Sequence, residues 1–172
     1  MEFENAVRRT HEVTVAFTAA PETVFPLLCP VREYDWIEDW NCVMVFSASG
    51  IAEVGCVFRT NRGDGDEIWT VSRYEPGQAI GFVRVVANVW VVTMDIELSP
   101  SKDGTTAARW RHTYTALSRA GAAIIEQMDP ARHAAHVHEL ATLANHYLTT
   151  GTMLRSTSTE HSTSTEYRPA AT

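Results

Sequence analysis

Residues 129–149 read DPARHAAHVHELATLANHYLT, and the way this stretch folds decides the rest of the chain. Asp129 is a natural N-cap, and Pro130 takes the first helical position, where its missing N–H costs nothing. With Leu140 at zero and about 100° per residue, Val137, Leu143, Ala144 and Tyr147 fall within roughly 60° of it. His133 and His136 share that stripe at about +20° and −40°, whereas His138 and His146 point away. A helix normally buries such a stripe against a core. Two imidazoles there demand either polar partners inside the protein or a cavity beneath the helix, and we read a cavity.

Upstream of this helix the pattern is that of strands. His11–Thr18 (HEVTVAFT) alternates with Val13, Val15 and Phe17 on one face. A short helix from Pro21 to Leu28 and a second helix or turn from Val31 to Ile37 follow, both limited by Pro26 and Pro30. Six segments rich in Val, Ile, Thr and aromatic residues then read as strands: CVMVFSAS, GCVFRTNR, EIWTVSRYE, AIGFVRVVA, VWVVTMDIELS and TTAARWRHTYTAL. Turn residues separate them, at Ser49-Gly50, Arg62 to Asp66, Glu75-Pro76-Gly77, Ala87-Asn88 and Lys102-Asp103-Gly104. Connections this short make antiparallel neighbours. Ala120–Met128 is helical again. Beyond Leu154 the segment STSTEHSTSTE repeats Ser-Thr-Ser-Thr-Glu about His161, without an aliphatic residue, so Arg155–Thr172 is expected to be disordered.

The expected fold is therefore α+β, a single domain over residues 1–154. A curved antiparallel sheet of about seven strands wraps a long C-terminal helix, and two short helices lie between strands 1 and 2. This order, the tract PETVFPLLCPVREYDWIEDW, and RHTYTALS followed by a helix ending ANHYLTTG resemble the START/polyketide-cyclase (SRPBCC, helix-grip) superfamily over residues 10–154. The resemblance implies a deep hydrophobic cavity between sheet and helix. It carries over no catalytic residues, because the superfamily includes lipid carriers, hormone receptors and cyclases alike.

Composition narrows the function. The chain has 172 residues, 45% of them hydrophobic and 20% charged, ordinary values for a globular domain. A formal net charge of −7 argues against nucleic acid or an anionic membrane as the main partner. No apolar run approaches the roughly 20 residues of a membrane span. Residues 1–13 lack the apolar core of a secretory signal. Cys29, Cys42 and Cys56 are odd in number and lack close metal-ligand spacing, which reads as reduced thiols in the cytoplasm.

Parity along each strand assigns the cavity wall. Trp90, Val92, Met94, Ile96 and Leu98 share one face of their strand; Trp110, His112, Tyr114 and Ala116 share one face of the next. Trp69 and Val71 are read as inward, with Arg73 following them to the inner rim, whereas the strand Ile80–Val86 is apolar on both sides except for Arg84 and does not discriminate. Arg109 and Arg111 fall outward, within reach of Asp95 or Glu97. The candidate ligand wall is Trp36, Trp40, Trp69, Trp90, Met94 and Trp110, with His112, Tyr114, His133 and His136 as polar contacts. We expect no metal, because His133 and His136 are spaced i, i+3 without the glutamate of an HExxH motif, and no cofactor.

Three functions stay open on this reading. The first is binding of a small hydrophobic or amphipathic ligand, lipids included. The second is a polyketide cyclase or dehydratase with His112, Tyr114, His133 or His136 in acid–base roles. The third is a solidly packed structural domain. A homodimer is compatible with each of them.

Overall fold

Alternation of apolar side chains makes Arg8–Phe17 the first strand, β1, with His11, Val13, Val15 and Phe17 buried and the residues between them exposed. The computed structural model describes residues 6–61 and 66–156. After β1 the chain turns through α1 (Pro21–Val24), continuous with a 3₁₀ turn, Phe25–Leu28, and a second 3₁₀ turn, Glu33–Asp35. The prolines Pro21 and Pro26 sit at the first turns of these pieces and keep them short. β2 (Cys42–Phe46), β3 (Val57–Asn61), β4 (Asp66–Glu75), β5 (Ala79–Val86), β6 (Trp90–Pro100) and β7 (Thr106–Ala116) follow, then α2 (Arg119–Glu126) and α3 (Pro130–Thr150).

All seven strands form one antiparallel sheet in the order β1-β7-β6-β5-β4-β3-β2. This is the helix-grip fold expected from the sequence. The tight turns carry the residues the geometry demands: Asn88 and Gly77, at φ of 60° and 72°, reverse the chain after β5 and β4. Asp129 caps α3 by accepting the Ala131 N–H at 2.9 Å, and Ser118 caps α2 by accepting the Gly121 N–H at 3.0 Å. Arg155 and Ser156 carry the described chain two residues past Leu154, where both contact Glu38. The rest of the expected disordered tail, 157–172, lies outside the described residues.

The concave face holds the main core, in which Phe17, Phe58, Val71, Ile80, Phe82, Ile96 and Trp110 pack with Val137, Ala141 and Ala144 of α3. A second core beneath α2 joins Val92, Tyr114, Ala116 and Ile125. The convex face instead carries a ladder of ion pairs across four strands. Glu75 and Glu97 bracket Arg73, Glu97 also holds Arg109, and Glu12 accepts from Arg109 at 3.3 Å and from Arg111 at 3.0 Å. The expected outward placement of Arg109 and Arg111 is met, with Glu97 as a partner of Arg109.

Arg73 itself is a correction to strand parity. Register shifts between Val71, opposite Phe82, and Arg73, opposite Gly81. That bulge inserts one residue and moves Arg73 from the inner rim to the convex face, while Tyr74 turns inward against Phe25 at a ring distance of 5.1 Å.

Candidate functional site

Register aligns the concave side chains in rows across the sheet. One row runs Phe58, Trp69, Arg84, Val92, Tyr114, Arg9, and the next runs Val71, Phe82, Met94, His112, His11. Where these rows reach β7 and β1, α3 adds His133 from its first turn. The result is a cluster of four rings. His133 lies 4.7 Å from His112, edge to face, and 5.0 Å from His11; Tyr114 lies 5.9 Å from His11 and 6.3 Å from both His112 and His133.

Aromatic side chains extend the wall on either side. Trp110 stacks on His112 at 6.3 Å, and Trp90 meets Tyr114 edge-on at 5.8 Å. Met94 pairs in register with both His112 and Phe82. Trp69 belongs to a separate polar group at the far end of the rows. Its N–H donates to Thr60 Oγ1 at 3.0 Å, Thr60 donates to Glu67, and the Arg84 guanidinium sits 5.0 Å above the Trp69 ring. Arg84 and Glu67 form an ion pair at 3.4 Å with side chains only 6% and 10% exposed.

Among the described residues, His11 Nε2, Trp90 Nε1 and Trp110 Nε1 are buried on this face without a hydrogen-bond partner. Burial, reinforced by the nearby positive charge of Arg9, lowers the pKa of His11 below the ordinary imidazole value. Its ring is therefore neutral at pH 7, with one nitrogen able to accept a proton.

Of the residues singled out in the sequence, Trp69, Trp90, Met94, Trp110, His112, Tyr114 and His133 share the concave face. His136 stands apart from the ring cluster. It is 26% exposed, with Nδ1 3.9 Å from the Glu139 carboxylate one turn further along α3. Its place at the border of the apolar stripe explains this, since a helix turns such a position sideways. Trp36 and Trp40 lie in the segment between β1 and β2, where they donate to the carbonyls of Leu27 at 3.0 Å and Pro30 at 2.8 Å. Trp36 is 2% exposed and packs as core.

Sequence reasoning missed His11, Arg84 and Glu67. His11 shares parity with Val13 and Val15, so the signal was present. Arg84 sits in a strand apolar on both faces, where alternation carries no information. The three cysteines are free thiols; burial pushes Cys42 up to about 11, which makes it a poor nucleophile. Among the described residues, no group of three or more His, Cys, Asp or Glu side chains is arranged to hold a metal ion. No helix among them is long and apolar enough to cross a membrane.

Comparison with solved structures gives the same fold. Norcoclaurine synthase from Thalictrum flavum, in complex with dopamine and hydroxybenzaldehyde, superposes with a TM-score of 0.60 at 9% identity, over 83% of this chain and 89% of that one. Ara h 8.0201 gives 0.60 at 12% identity, over 83% of this chain and 99% of that one. DynU16, from the dynemicin biosynthetic locus, gives 0.57 at 19% identity over 83% of this chain. The chain spans about half of DynU16, 48% of its length. No family model matches the sequence, and no curated protein does. The architecture is the helix-grip fold that these structures share.

Proposed function

We propose that this helix-grip chain binds a small hydrophobic or amphipathic molecule on the concave face of its sheet, in the cytoplasm. Trp69, Trp90, Met94 and Trp110 supply apolar walls, and His11, His112, Tyr114 and His133 supply polar contacts. One observation carries this reading. Among the described residues, His11 Nε2, Trp90 Nε1 and Trp110 Nε1 are buried on this face without a partner. Such atoms cost about 1–3 kcal/mol each when left unsatisfied, and folded proteins rarely leave them so. A ligand with oxygen acceptors on an aromatic frame would satisfy such an indole N–H. That a protein of this fold is seen with dopamine and hydroxybenzaldehyde supports the same chemical class here.

A second reading is favoured by the ring cluster: a cyclase or dehydratase in which His11 or His112 takes a proton from a substrate carbon and Tyr114 or His133 returns one. A neutral imidazole is the form such a base requires.

The deciding measurement is tryptophan fluorescence during titration with naphthol and with a fatty acid. Saturable quenching that weakens about tenfold in Trp90→Phe and Trp110→Phe is the expected result. Absence of quenching by either probe, together with only the bare polypeptide mass in native mass spectrometry, would overturn the binding reading. Turnover separates the two readings: an enzyme loses it in His112→Phe while still binding, whereas a binder shows none to lose.

A further inference from the structure

Among the described residues, β1 is an edge strand with β7 as its only neighbour in the sheet. In such a strand, residues alternate between those whose N–H and C=O bond the neighbour and those whose groups point to the free side. The Ala116 N–H donates to the Val7 carbonyl, which assigns odd-numbered residues to β7. The Thr10 and Thr113 hydroxyls meet at 3.0 Å, as opposed side chains do in the closer, non-bonded pairs. The even series is then the outward one, and the far end of β1 shows what satisfies it. There Asn145 of α3 donates to the Ala16 carbonyl at 2.9 Å and accepts the Thr18 N–H at 2.8 Å. One side-chain amide does the work of a neighbouring strand.

Toward its N-terminus α3 leaves this edge, and a trough of about 420 Å³ opens between them. It is lined by the consecutive residues Arg9 to Val13 and, from α3, by Pro130, His133 and Ala134. Both parities of β1 line it and β7 contributes nothing, so the trough follows the free edge rather than the concave face. Five strand residues give it a length of about 17 Å. Among the described residues, no main-chain group bonds the outward N–H and C=O of Thr10 and Glu12. Arg9 and Glu12 are the charged residues that line it: the Arg9 guanidinium donates to the Glu126 carbonyl at 3.1 Å, which leaves its positive charge without a carboxylate among the described residues, whereas the Glu12 carboxylate is neutralised by Arg109 and Arg111.

We propose that this trough receives an extended acidic segment of a partner protein as an eighth strand, bonded to the outward groups of Thr10 and Glu12, with a carboxylate against Arg9. Strand addition beside a helix draws affinity from main-chain bonds and selectivity from alternate side chains. A second copy of this chain fits worse, because the β1 edge it would present carries Arg8 and Arg9 rather than an acidic run.

The test uses a fluorescein-labelled Glu-Val-Glu-Val-Glu-Val peptide and two versions of it, N-methylated at one or the other alternate set of residues. Saturable anisotropy is expected, lost at least tenfold in only one of the two N-methylated forms. Hydrogen exchange should slow at the amides of Thr10 and Glu12 on peptide addition. Thr10→Pro removes an outward N–H that the β1–β7 ladder does not use and should weaken binding at least tenfold, whereas Thr10→Val should not. Ala134→Trp, which fills the trough from the helix side, should do the same without touching the strand. No binding at about millimolar peptide, indifference to N-methylation, or self-association that protects the same amides would overturn the proposal. A small aromatic ligand on the concave face leaves these amides exchanging freely, so the two proposals fail separately.

Discussion

Protonating His11 costs more in the folded chain than in the unfolded one, because the ring is buried beside Arg9. The unfolded chain therefore binds more protons in mild acid. Stability contributed by the neutral ring is intact above about pH 6.5, the ordinary imidazole value, and is lost as the pH falls from there towards the lower folded-state value. Thermal melts from pH 7.5 to pH 5 should show this decline, and His11→Phe should flatten it. An unchanged slope in His11→Phe would assign the acid sensitivity elsewhere. Arg84 and Glu67 raise a different residue-scale question, since both charges are buried together. Glu67→Gln removes a charge partner of Arg84 and should cost about 3 kcal/mol in urea unfolding. The double change Glu67→Leu with Arg84→Met should recover most of that loss, because a packed apolar pair has no desolvation cost to offset.

At the scale of elements, α2 docks through a contact that leaves no room for a side chain. A Cβ on Gly121 would stand 1.9 Å from the Val89 carbonyl oxygen, in the turn between β5 and β6. Gly121→Ala should therefore push α2 off Val92 and Tyr114, costing about 3 kcal/mol and shifting Trp90 emission to the red. An alanine variant with unchanged melting and emission would show that the turn yields instead. The strands themselves were legible in the sequence. β6 and β7 alternate cleanly, so parity placed Trp90, Met94, Trp110, His112 and Tyr114 on the concave face, where the structure has them. The failures share a physical origin. Parity counts residues, and the bulge at Ser72 adds one that no local residue type announces. Helical angle counts residues too, but it does not say how wide a stripe the sheet covers, so His136 fell outside while His133 fell within. The site was legible as a set of faces and not as a set of contacts.

The whole molecule divides its charge by face. Its concave side is apolar apart from the ring cluster and the Arg84–Glu67 group, whereas its convex side ties β4, β6, β7 and β1 together through exposed arginines and glutamates. Exposed pairs of this kind are worth about 0.5 kcal/mol each and are screened by salt. Raising NaCl from about 0.02 M to about 0.5 M should thus lower the melting temperature by only a few degrees, and Glu97→Gln should remove most of that dependence. A large salt effect that survives in Glu97→Gln would point to another set of charges.

The bulge in β4 also gives this strand one residue that its pairing does not use. Excising Ser72 alone would set Arg73 directly after Val71, still opposite Gly81, so the guanidinium would stay on the convex face and the Tyr74 ring inside. Excising Thr70 would instead set Trp69 beside Val71, and alternation would turn one of the two out to water. A single-codon loss at Ser72 should therefore be milder than the same loss two residues earlier.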